Sequence, residues 1–248
     1  MSRRSSLLVA LSSMIVIVVV VVVASVACVG SSAKPAAMHP PTRLRALYGL
    51  EPLRSIDPRA TALILVDYQE EFFAGRLPVE GGRAAVARAA RLLDWARRHG
   101  VLVVHVRNVA ARPDSPVFAA SSPNVATVPD LLPAAGEMTI TKSAAGAFTK
   151  TELDSSLRAR GISAIVVAGI MTHLAVDSTV RDGALLGYRV VVVSDACATR
   201  DLPGAEPGDV VDAAIIHRAT LAALADRFAD VMTTSTIVGL PREERTAR

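Results

Sequence analysis

The sequence predicts an α/β protein in which a mostly parallel sheet is flanked by helices on both faces. First, several short and continuous apolar runs are typical of strands that are buried on both faces. Second, segments with helical spacing alternate with these runs, and that order favours a parallel sheet. Third, 51% of the 248 residues are hydrophobic, which excludes a disordered chain. The two cysteines are too few for a disulfide-dense scaffold.

Five apolar runs are the candidate strands of this sheet, and a sixth segment is a candidate edge strand. In chain order, the runs cover residues 62–67, 101–106, 138–142, 164–169 and 189–195, and the edge candidate covers 231–234. Because strands of a parallel sheet end at the same edge, the residues just after each run are the first place to look for a site.

Four segments are the candidate helices, and they cover residues 81–99, 151–160, 175–186 and 209–226. In the first of them, apolar residues recur at a spacing of three to four, as on one face of a helix. A glycine follows each of the first three segments, and glycine is a common helix stop. A Pro- and Ser-rich stretch over 112–133 is predicted to be a long loop, a feature that is often functional.

The N-terminal segment 1–37 differs from the rest of the chain because it is strongly apolar and contains no acidic residue. Its uncharged run over 7–29 is long enough to cross a bilayer as a helix. We therefore expect a single-pass membrane anchor, followed by a linker over 38–60. Two alternatives stay open: a secretory signal that is cleaved after residue 27, which leaves a secreted or periplasmic protein, or translation from Met38, which leaves a cytoplasmic one.

The net charge of +4 comes largely from this N-terminal segment. Of the 27 Lys and Arg residues, three lie in 1–37, and the remaining 24 nearly balance the 23 acidic residues. No nucleic-acid partner is therefore expected. Neither a phosphate-binding glycine loop nor a His cluster suited to a metal is evident in the sequence, so we expect no cofactor and no metal.

Polar residues at the predicted strand ends supply the candidate chemistry. Asp67 follows the first run, and it is either a helix cap or a proton-transfer group. Lys142 ends the third run and, next to Asp67, would favour the ionised carboxylate. Segment 169–179 reads as a strand-to-helix turn, whose free N–H groups can bind an anion or an oxyanion. No thiol stands in this turn, although a helix N-terminus would activate one.

Three ordered motifs resemble those of the isochorismatase-like (cysteine hydrolase) superfamily. They are Leu-Val-Asp-Tyr-Gln at 65–69, Lys-Ser-Ala-Ala-Gly-Ala-Phe at 142–148 and Gly-Ile-Met-Thr-His-Leu-Ala-Val-Asp-Ser-Thr at 169–179, and the tail 187–198 also fits. The resemblance implies a three-layer α/β sandwich over 61–240, a small-molecule substrate and a possible homo-oligomer. It also implies a cis peptide bond between Ile170 and Met171.

The catalytic triad of that superfamily is Asp, Lys and Cys. The resemblance places the Asp at Asp67 and the Lys at Lys142, but the Cys position falls on Ala175. It further implies an oxyanion hole formed by the amides of Met171 and Ala175. A methyl group cannot form an acyl-enzyme, so cysteine-dependent amide hydrolysis is disfavoured.

Isochorismatases proper offer a precedent by resemblance, because they hydrolyse a vinyl ether without the cysteine. In that reading Asp67 donates the proton and Lys142 orients it. Arg107 and His173 are candidate partners for substrate carboxylates, Thr172 is a further candidate contact, and Phe72 and Phe148 are candidates for an apolar wall. The alternative is a catalytically silent member that binds a small ligand or acts as a tethered assembly unit.

Overall fold

The computed structural model describes residues 41–243 of the chain. Six strands form the central sheet. In chain order they are β1 (Thr61–Val66), β2 (Leu102–Asn108), β3 (Met138–Lys142), β4 (Ala164–Gly169), β5 (Arg189–Val193) and β8 (Asp230–Met232). Their order across the sheet is β3-β2-β1-β4-β5-β8, and each pairing is parallel. The parallel sheet predicted from the apolar runs is thereby confirmed, including the edge strand near 231.

Six α-helices accompany the sheet in the described residues. They are α1 (Leu44–Leu47), α2 (Gly82–His99), α3 (Leu153–Arg158), α4 (Asp177–Leu185), α5 (Ala213–Arg227) and α6 (Thr234–Gly239). Helix α5 begins four residues later than predicted, because the chain before it forms a small antiparallel hairpin. That hairpin pairs β6 (Leu202–Pro203) with β7 (Val210–Val211).

The side chains of β1 alternate between two cores, and this alternation produces the three layers. Leu63 and Leu65 pack into the cluster that contains Trp95 of α2. Ile64 and Val66 pack into the opposite cluster, which holds Leu224 of α5. Since both faces are covered, the strands in the middle of this sheet consist largely of apolar residues. Burying each Leu or Ile stabilises the fold by roughly 1.5–3 kcal/mol.

The order of the strands places a topological switch point between β1 and β4. From β1 the chain moves to β2 and β3 on one side, and then returns to β4 and β5 on the other. In such sheets the crevice outside the carboxyl ends of the two central strands is the usual ligand site. Gly169 permits the close approach of these strands, because a Cβ at that position would overlap Val66, whose own Cβ lies 2.7 Å away.

The structure corrects the predicted membrane localisation. Within residues 41–243, no helix is long and apolar enough to cross a bilayer. The run over 7–29, on which the predicted anchor rested, lies outside the described residues. The assignment of a single-pass membrane protein is therefore withdrawn.

Candidate active site

Asp67 and Lys142 form a buried ion pair at the carboxyl edge of the sheet. Lys142 Nζ donates to Asp67 Oδ2 at 2.6 Å and to the carbonyl of Ala144 at 3.1 Å. Only 1% of the lysine side chain and 4% of the aspartate side chain are exposed. A charge buried to this extent needs a partner within hydrogen-bond distance, so each residue depends on the other.

The Asp67 carboxyl group is poised to exchange a proton. Burial raises its pKa from 3.8 to about 6, and the charge and hydrogen bond of Lys142 lower it in part. Among residues 41–243, the second oxygen, Oδ1, has no hydrogen-bond partner although it is buried. An unsatisfied buried oxygen costs about 1–3 kcal/mol, and such a cost is often found where a substrate supplies the missing partner.

The backbone at Asp67 turns the carboxyl group away from the strand direction. Its φ angle is 54°, in the left-handed region, which Asp tolerates better than most residues. The N–H group of Asp67 still donates to the carbonyl of Val106 on β2 at 2.8 Å. The residue is therefore anchored to the sheet through its backbone, while its side chain faces the crevice between β1 and its neighbours.

A cavity of about 220 Å³ adjoins this ion pair. Apolar side chains dominate its lining and polar groups are few, as is common for small-molecule sites. Its lining residues are Asp67, Phe72, Asn108, Phe118, Lys142, Ser143, Ala144, Ala145, Ile170, Met171, Leu174 and Ala175. Five of the residues predicted from the sequence are thus brought together: Asp67, Phe72, Lys142, Met171 and Ala175.

The turn after β4 brings backbone amides to the same cavity. The Ile170–Met171 peptide bond is cis, as the resemblance implied, and a π-helical turn follows over Thr172–Val176. The N–H groups of Leu174 and Val176 both donate to the Met171 carbonyl, at 3.1 and 3.2 Å. The N–H of Thr172 donates to the Ala198 carbonyl at 2.9 Å. The amides of Met171 and Ala175 stay the candidates for an oxyanion hole.

Ala175 lies at the start of this helical segment with 5% of its surface exposed. Its methyl group faces the cavity where the resemblance places a thiol. The chain's buried Cys197 belongs to the core cluster beneath β4 and β5 instead, and burial raises the pKa of its thiol to about 12. A thiol with such a pKa is inert near neutral pH, so Cys197 contributes to the fold by packing in this core.

Two residues predicted to contact substrate lie elsewhere. Arg107 occupies the face of β2 that also carries Val103 and His105, opposite to the face of Asn108, because successive strand residues alternate. Phe148 stacks on Tyr188, with ring centroids 5.7 Å apart, and packs against the core beneath α4. Neither side chain belongs to the lining of the cavity at Asp67, so the structure does not bring these two residues to the site.

Thr172 and His173 also point away from this cavity. Thr172 Oγ1 lies 2.9 Å from Nδ1 of His217, and His173 Nδ1 bonds to Thr199 Oγ1. Thr199 and His217 line a separate cavity of about 520 Å³. Burial, followed by the charge of Arg200, lowers the pKa of His173. These contacts tie the helix start to α5 and to the loop after β5. Neither Thr172 nor His173 lines the cavity at Asp67, and their predicted substrate contacts stay predictions.

Seven cavity residues were not among the predicted site residues: Asn108, Phe118, Ser143, Ala144, Ala145, Ile170 and Leu174. Phe118 comes from the long loop that the sequence predicts, and its ring meets that of Phe72 edge-on at 5.5 Å. Asn108 directly follows Arg107, which was selected in its place. The signal that would have found Asn108 is Gln69 of the first motif, whose side chain bonds to the backbone of Asn108 at both ends.

A metal centre has no counterpart among the described residues. Within them, no group of three or more His, Cys, Asp or Glu side chains is arranged to hold an ion. His105 instead lies 2.8 Å from Glu137 through its Nε2 atom. His105 is therefore a buried residue of β2 whose ring nitrogen is paired within the fold.

Comparison with known proteins agrees with this architecture. A family model described as the isochorismatase domain matches residues 61–236. The secreted isochorismatase effector of Verticillium dahliae is 31% identical over 193 residues, which are 78% of this chain and 97% of that relative. A ureidoacrylate amidohydrolase of Methylobacterium radiotolerans is 30% identical over 228 residues, 77% of this chain and 84% of that protein.

Solved structures give the same result. The crystal structure of an isochorismatase from Pseudomonas putida has a TM-score of 0.72 and 37% identity, and the match covers 80% of this chain and 100% of that one. The parallel sheet with its flanking helices and the family match define an α/β enzyme of a hydrolase family. The chain belongs to the isochorismatase family, and the family, fold and hydrolase class expected from the three motifs are confirmed.

Proposed function

We propose that the protein hydrolyses a vinyl ether of a small molecule by acid–base catalysis at Asp67 and Lys142, without a covalent intermediate. The observation that carries the proposal is the buried pair itself: Asp67 Oδ2 is held by Lys142 at 2.6 Å, while its Oδ1 atom is unpaired among the described residues. The neighbouring Ala175 leaves no nucleophile at the position where amidases of this family need one.

In the proposed reaction, protonated Asp67 transfers its proton to the methylene carbon of the vinyl ether. A C–H bond forms, the double bond is lost, and an oxocarbenium ion results. Water then adds its oxygen to the cationic carbon and returns a proton to the Asp67 carboxylate. The hemiketal finally collapses: the ether C–O bond breaks, the hydroxyl proton of the hemiketal passes to the departing oxygen, and a ketone and an alcohol result. Atoms and charges balance with the uptake of one water.

The environment of Asp67 suits this role. A general acid works best when its pKa lies near the working pH, and burial raises the pKa of Asp67 to about 6. Lys142 keeps the carboxyl group in one orientation and stabilises the carboxylate that forms after proton transfer. Phe72 and Phe118 wall the cavity with apolar surface, which keeps bulk water from competing for the proton.

The amides of Met171 and Ala175 are proposed to stabilise oxygen-centred negative charge as the hemiketal collapses. Donors at the start of a helical segment are fixed before the reaction and need no reorganisation. The methyl group of Ala175 also leaves room for the substrate carbon beside Asp67, where a larger side chain would compete for the same space.

A second candidate function is ligand binding without turnover, and Ala175 is the observation that favours it. A superfamily member that has lost its nucleophile can keep the cavity and lose the reaction. In that case the full-length protein binds a small ligand at the Asp67 cavity and releases it unchanged.

One experiment separates the two functions. Full-length protein is incubated with isochorismate, and pyruvate is followed with a coupled dehydrogenase assay, next to a panel of simple amides. The proposal expects pyruvate formation that falls by about 10²–10⁴-fold in Asp67→Asn and is unchanged in Asp94→Asn, which alters an exposed carboxylate of α2. Turnover that persists in Asp67→Asn contradicts the mechanism, and absence of turnover in all proteins favours the silent member.

A further inference from the structure

We infer that Asn108 is a substrate-binding residue of this cavity and that Gln69 is the positioning residue that holds it. The reaction that Asn108 would serve rests on the proposed function, whereas its binding role does not. Asn108 would donate a hydrogen bond to an oxygen on a trigonal carbon of the ligand, either a carboxylate or an amide carbonyl.

The strand register places Asn108 next to Lys142. The two residues are direct partners in the β2–β3 pairing, and Val109 N–H donates to the Lys142 carbonyl at 2.8 Å. Their side chains share one face of the sheet, since Val106 and Ile140, two residues earlier on each strand, both belong to the same core cluster. Side chains at directly opposed positions of neighbouring strands are close together, so the carboxamide and the ammonium group are neighbours at the cavity wall.

Gln69 fixes Asn108 from both sides of its backbone. The side chain of Gln69 is fully buried. Its Nε2 atom donates to the Asn108 carbonyl at 2.9 Å, and its Oε1 atom accepts from the Asn108 N–H at 2.8 Å. These two bonds occupy both backbone groups of Asn108. Only the side-chain carboxamide of Asn108 is therefore available to bind a ligand.

A third bond anchors Gln69 itself. Nε2 also donates to the carbonyl of Val125 at 2.7 Å, and Gln69 forms an isolated antiparallel bridge with Thr127. The neighbouring Glu70 N–H donates to the Ala126 carbonyl at 2.9 Å. The buried amide of Gln69 therefore joins the end of β1, the end of β2 and the long loop. Loss of any of these hydrogen bonds is expected to displace Asn108.

The chemistry of the pair selects the ligand group. Lys142 already donates to Asp67 and Ala144, so an ammonium group with three N–H bonds has one left for a ligand. The neutral side-chain amide of Asn108 offers two more N–H donors. They can stabilise a ligand oxygen without adding a second buried positive charge. An oxygen held there brings the carbon skeleton of the ligand against the rings of Phe72 and Phe118, on the side of the cavity where Asp67 lies.

Two small probes test the inference without any turnover. Methacrylate and methacrylamide share one shape and carry a carboxylate or an amide carbonyl on a vinylic carbon. Their affinities for full-length protein are measured by ligand-observed NMR titration, for the wild type, Asn108→Leu and Asn124→Leu. Asn124 is the matched control, because it is the same residue type in the long loop outside the cavity.

The inference expects that at least one probe binds the wild type and Asn124→Leu equally, and that Asn108→Leu weakens it by about five- to tenfold. The probe that binds identifies the group that is recognised. Equal affinity of wild type and Asn108→Leu overturns the inference, and so does failure of both probes to bind a wild-type protein shown to be folded by circular dichroism.

The role of Gln69 is tested by a double-mutant cycle. Gln69→Glu places an oxygen against the two carbonyls that Nε2 now contacts, and Gln69→Met removes the bonds without adding charge. Each is expected to weaken the same probe, although Gln69 lies behind the cavity wall, and to add little in combination with Asn108→Leu. Fully additive losses of affinity would reduce Gln69 to a purely structural residue and overturn that part of the inference.

The closing measurement separates this inference from the proposed function. The probe titrations are repeated in Asp67→Asn, which is expected to lack turnover of isochorismate. An Asn108-dependent affinity of a wild-type protein that shows no turnover of isochorismate supports the binding site and rejects the reaction, whereas wild-type turnover that is insensitive to Asn108→Leu supports the reaction and rejects the site.

Discussion

Lys142 Nζ lies 2.6 Å from Asp67 Oδ2 in an ion pair that is almost completely buried. Two residues 75 positions apart in sequence meet because β1 and β3 end at the same edge of one parallel sheet. The pair is costly for the fold unless both members stay in place, and it is the only strongly buried Lys–Asp contact among the ion pairs of residues 41–243. Its energetics yield the first three predictions.

The first prediction concerns activity and pH. Because the acid form of Asp67 is the proposed donor and its pKa is about 6, kcat/KM is expected to be constant below about pH 6. It should then fall about tenfold for each pH unit above that value. A pH–rate profile of pyruvate release from pH 5 to 8.5 measures it. A profile that rises through pH 6 would assign Asp67 the role of a base instead.

The second prediction concerns stability and pH, and its sign follows from the raised pKa. Between about pH 4 and pH 6 the folded protein holds a proton on Asp67 that the unfolded chain releases. The contribution of Asp67 to stability therefore decreases as pH rises through this window, by about 3 kcal/mol for a shift of about two pKa units. Chemical denaturation of wild type and Asp67→Asn at pH 4.5 and 7 should show about 2 kcal/mol of this decrease in the wild type alone, because the rest of it occurs below pH 4.5. Parallel behaviour of both proteins would contradict it.

The third prediction is that Lys142→Met destabilises the protein in a pH-dependent manner. Removal of the ammonium group leaves the Asp67 carboxylate buried without its partner, which costs about 3–5 kcal/mol at pH 8. At pH 5 the loss is expected to be smaller, because protonated Asp67 needs no counter-charge. The double variant Asp67→Asn/Lys142→Met should regain much of the stability at pH 8. Failure of the second substitution to restore it would show that Lys142 acts through packing alone.

The fourth prediction concerns the close approach of β1 and β4. A Cβ at Gly169 would collide with the backbone of Val66 and approach its Cβ to 2.7 Å, so the two central strands have to separate. Gly169→Ala is expected to destabilise the fold by about 1–3 kcal/mol, as overpacking of a core does, and to reduce turnover. Gly239→Ala in α6 is the control, because nothing lies within 4 Å of its built Cβ. Thermal unfolding of both variants measures the difference, and equal melting temperatures would contradict the prediction.

The sequence predicts the sheet and the ion pair because both depend on local pattern. Apolar runs locate the strands, and the residue after each run marks the site edge, so Asp67 and Lys142 follow directly. The apolar pattern does not determine whether Arg107 or Asn108 faces the cavity, because a shift of one residue moves a side chain to the other face of a strand. The end of β2, Asn108, lies two residues beyond the end of the apolar run, and only the contacts of Gln69 reveal which face is used.

The side chains of Thr172 and His173, which were predicted to contact substrate, do not line the cavity at Asp67. The π-helical turn over Thr172–Val176 changes the rotation per residue and directs both side chains toward His217 and Thr199. Single-turn π-helices have no clear sequence signal. The hairpin of β6 and β7 was missed because its two-residue strands are too short for a periodic pattern.

The last prediction restores a thiol to the cavity. In wild type, Cys197 is buried and its thiol pKa is about 12, so iodoacetamide is expected to leave Cys197 of the folded protein unlabelled at pH 8. In Ala175→Cys, the new thiol lies at the start of a helical segment, near Lys142, and both features favour the thiolate. One label more than in wild type is expected, at position 175, by peptide mass spectrometry, which also separates it from any label on Cys28.

The same variant tests the role of the cavity in amide chemistry. With the triad of Asp, Lys and Cys complete, Ala175→Cys is expected to hydrolyse simple amides through an acyl-enzyme, with a burst of product in the first turnover. Ala175→Ser is the matched control, because a hydroxyl group of similar size is not activated by the same surroundings. Labelling without amide hydrolysis would mean that the thiolate forms but that the amides of Met171 and residue 175 do not stabilise the oxyanion. Labelling of Cys197 instead would contradict the burial on which the prediction rests.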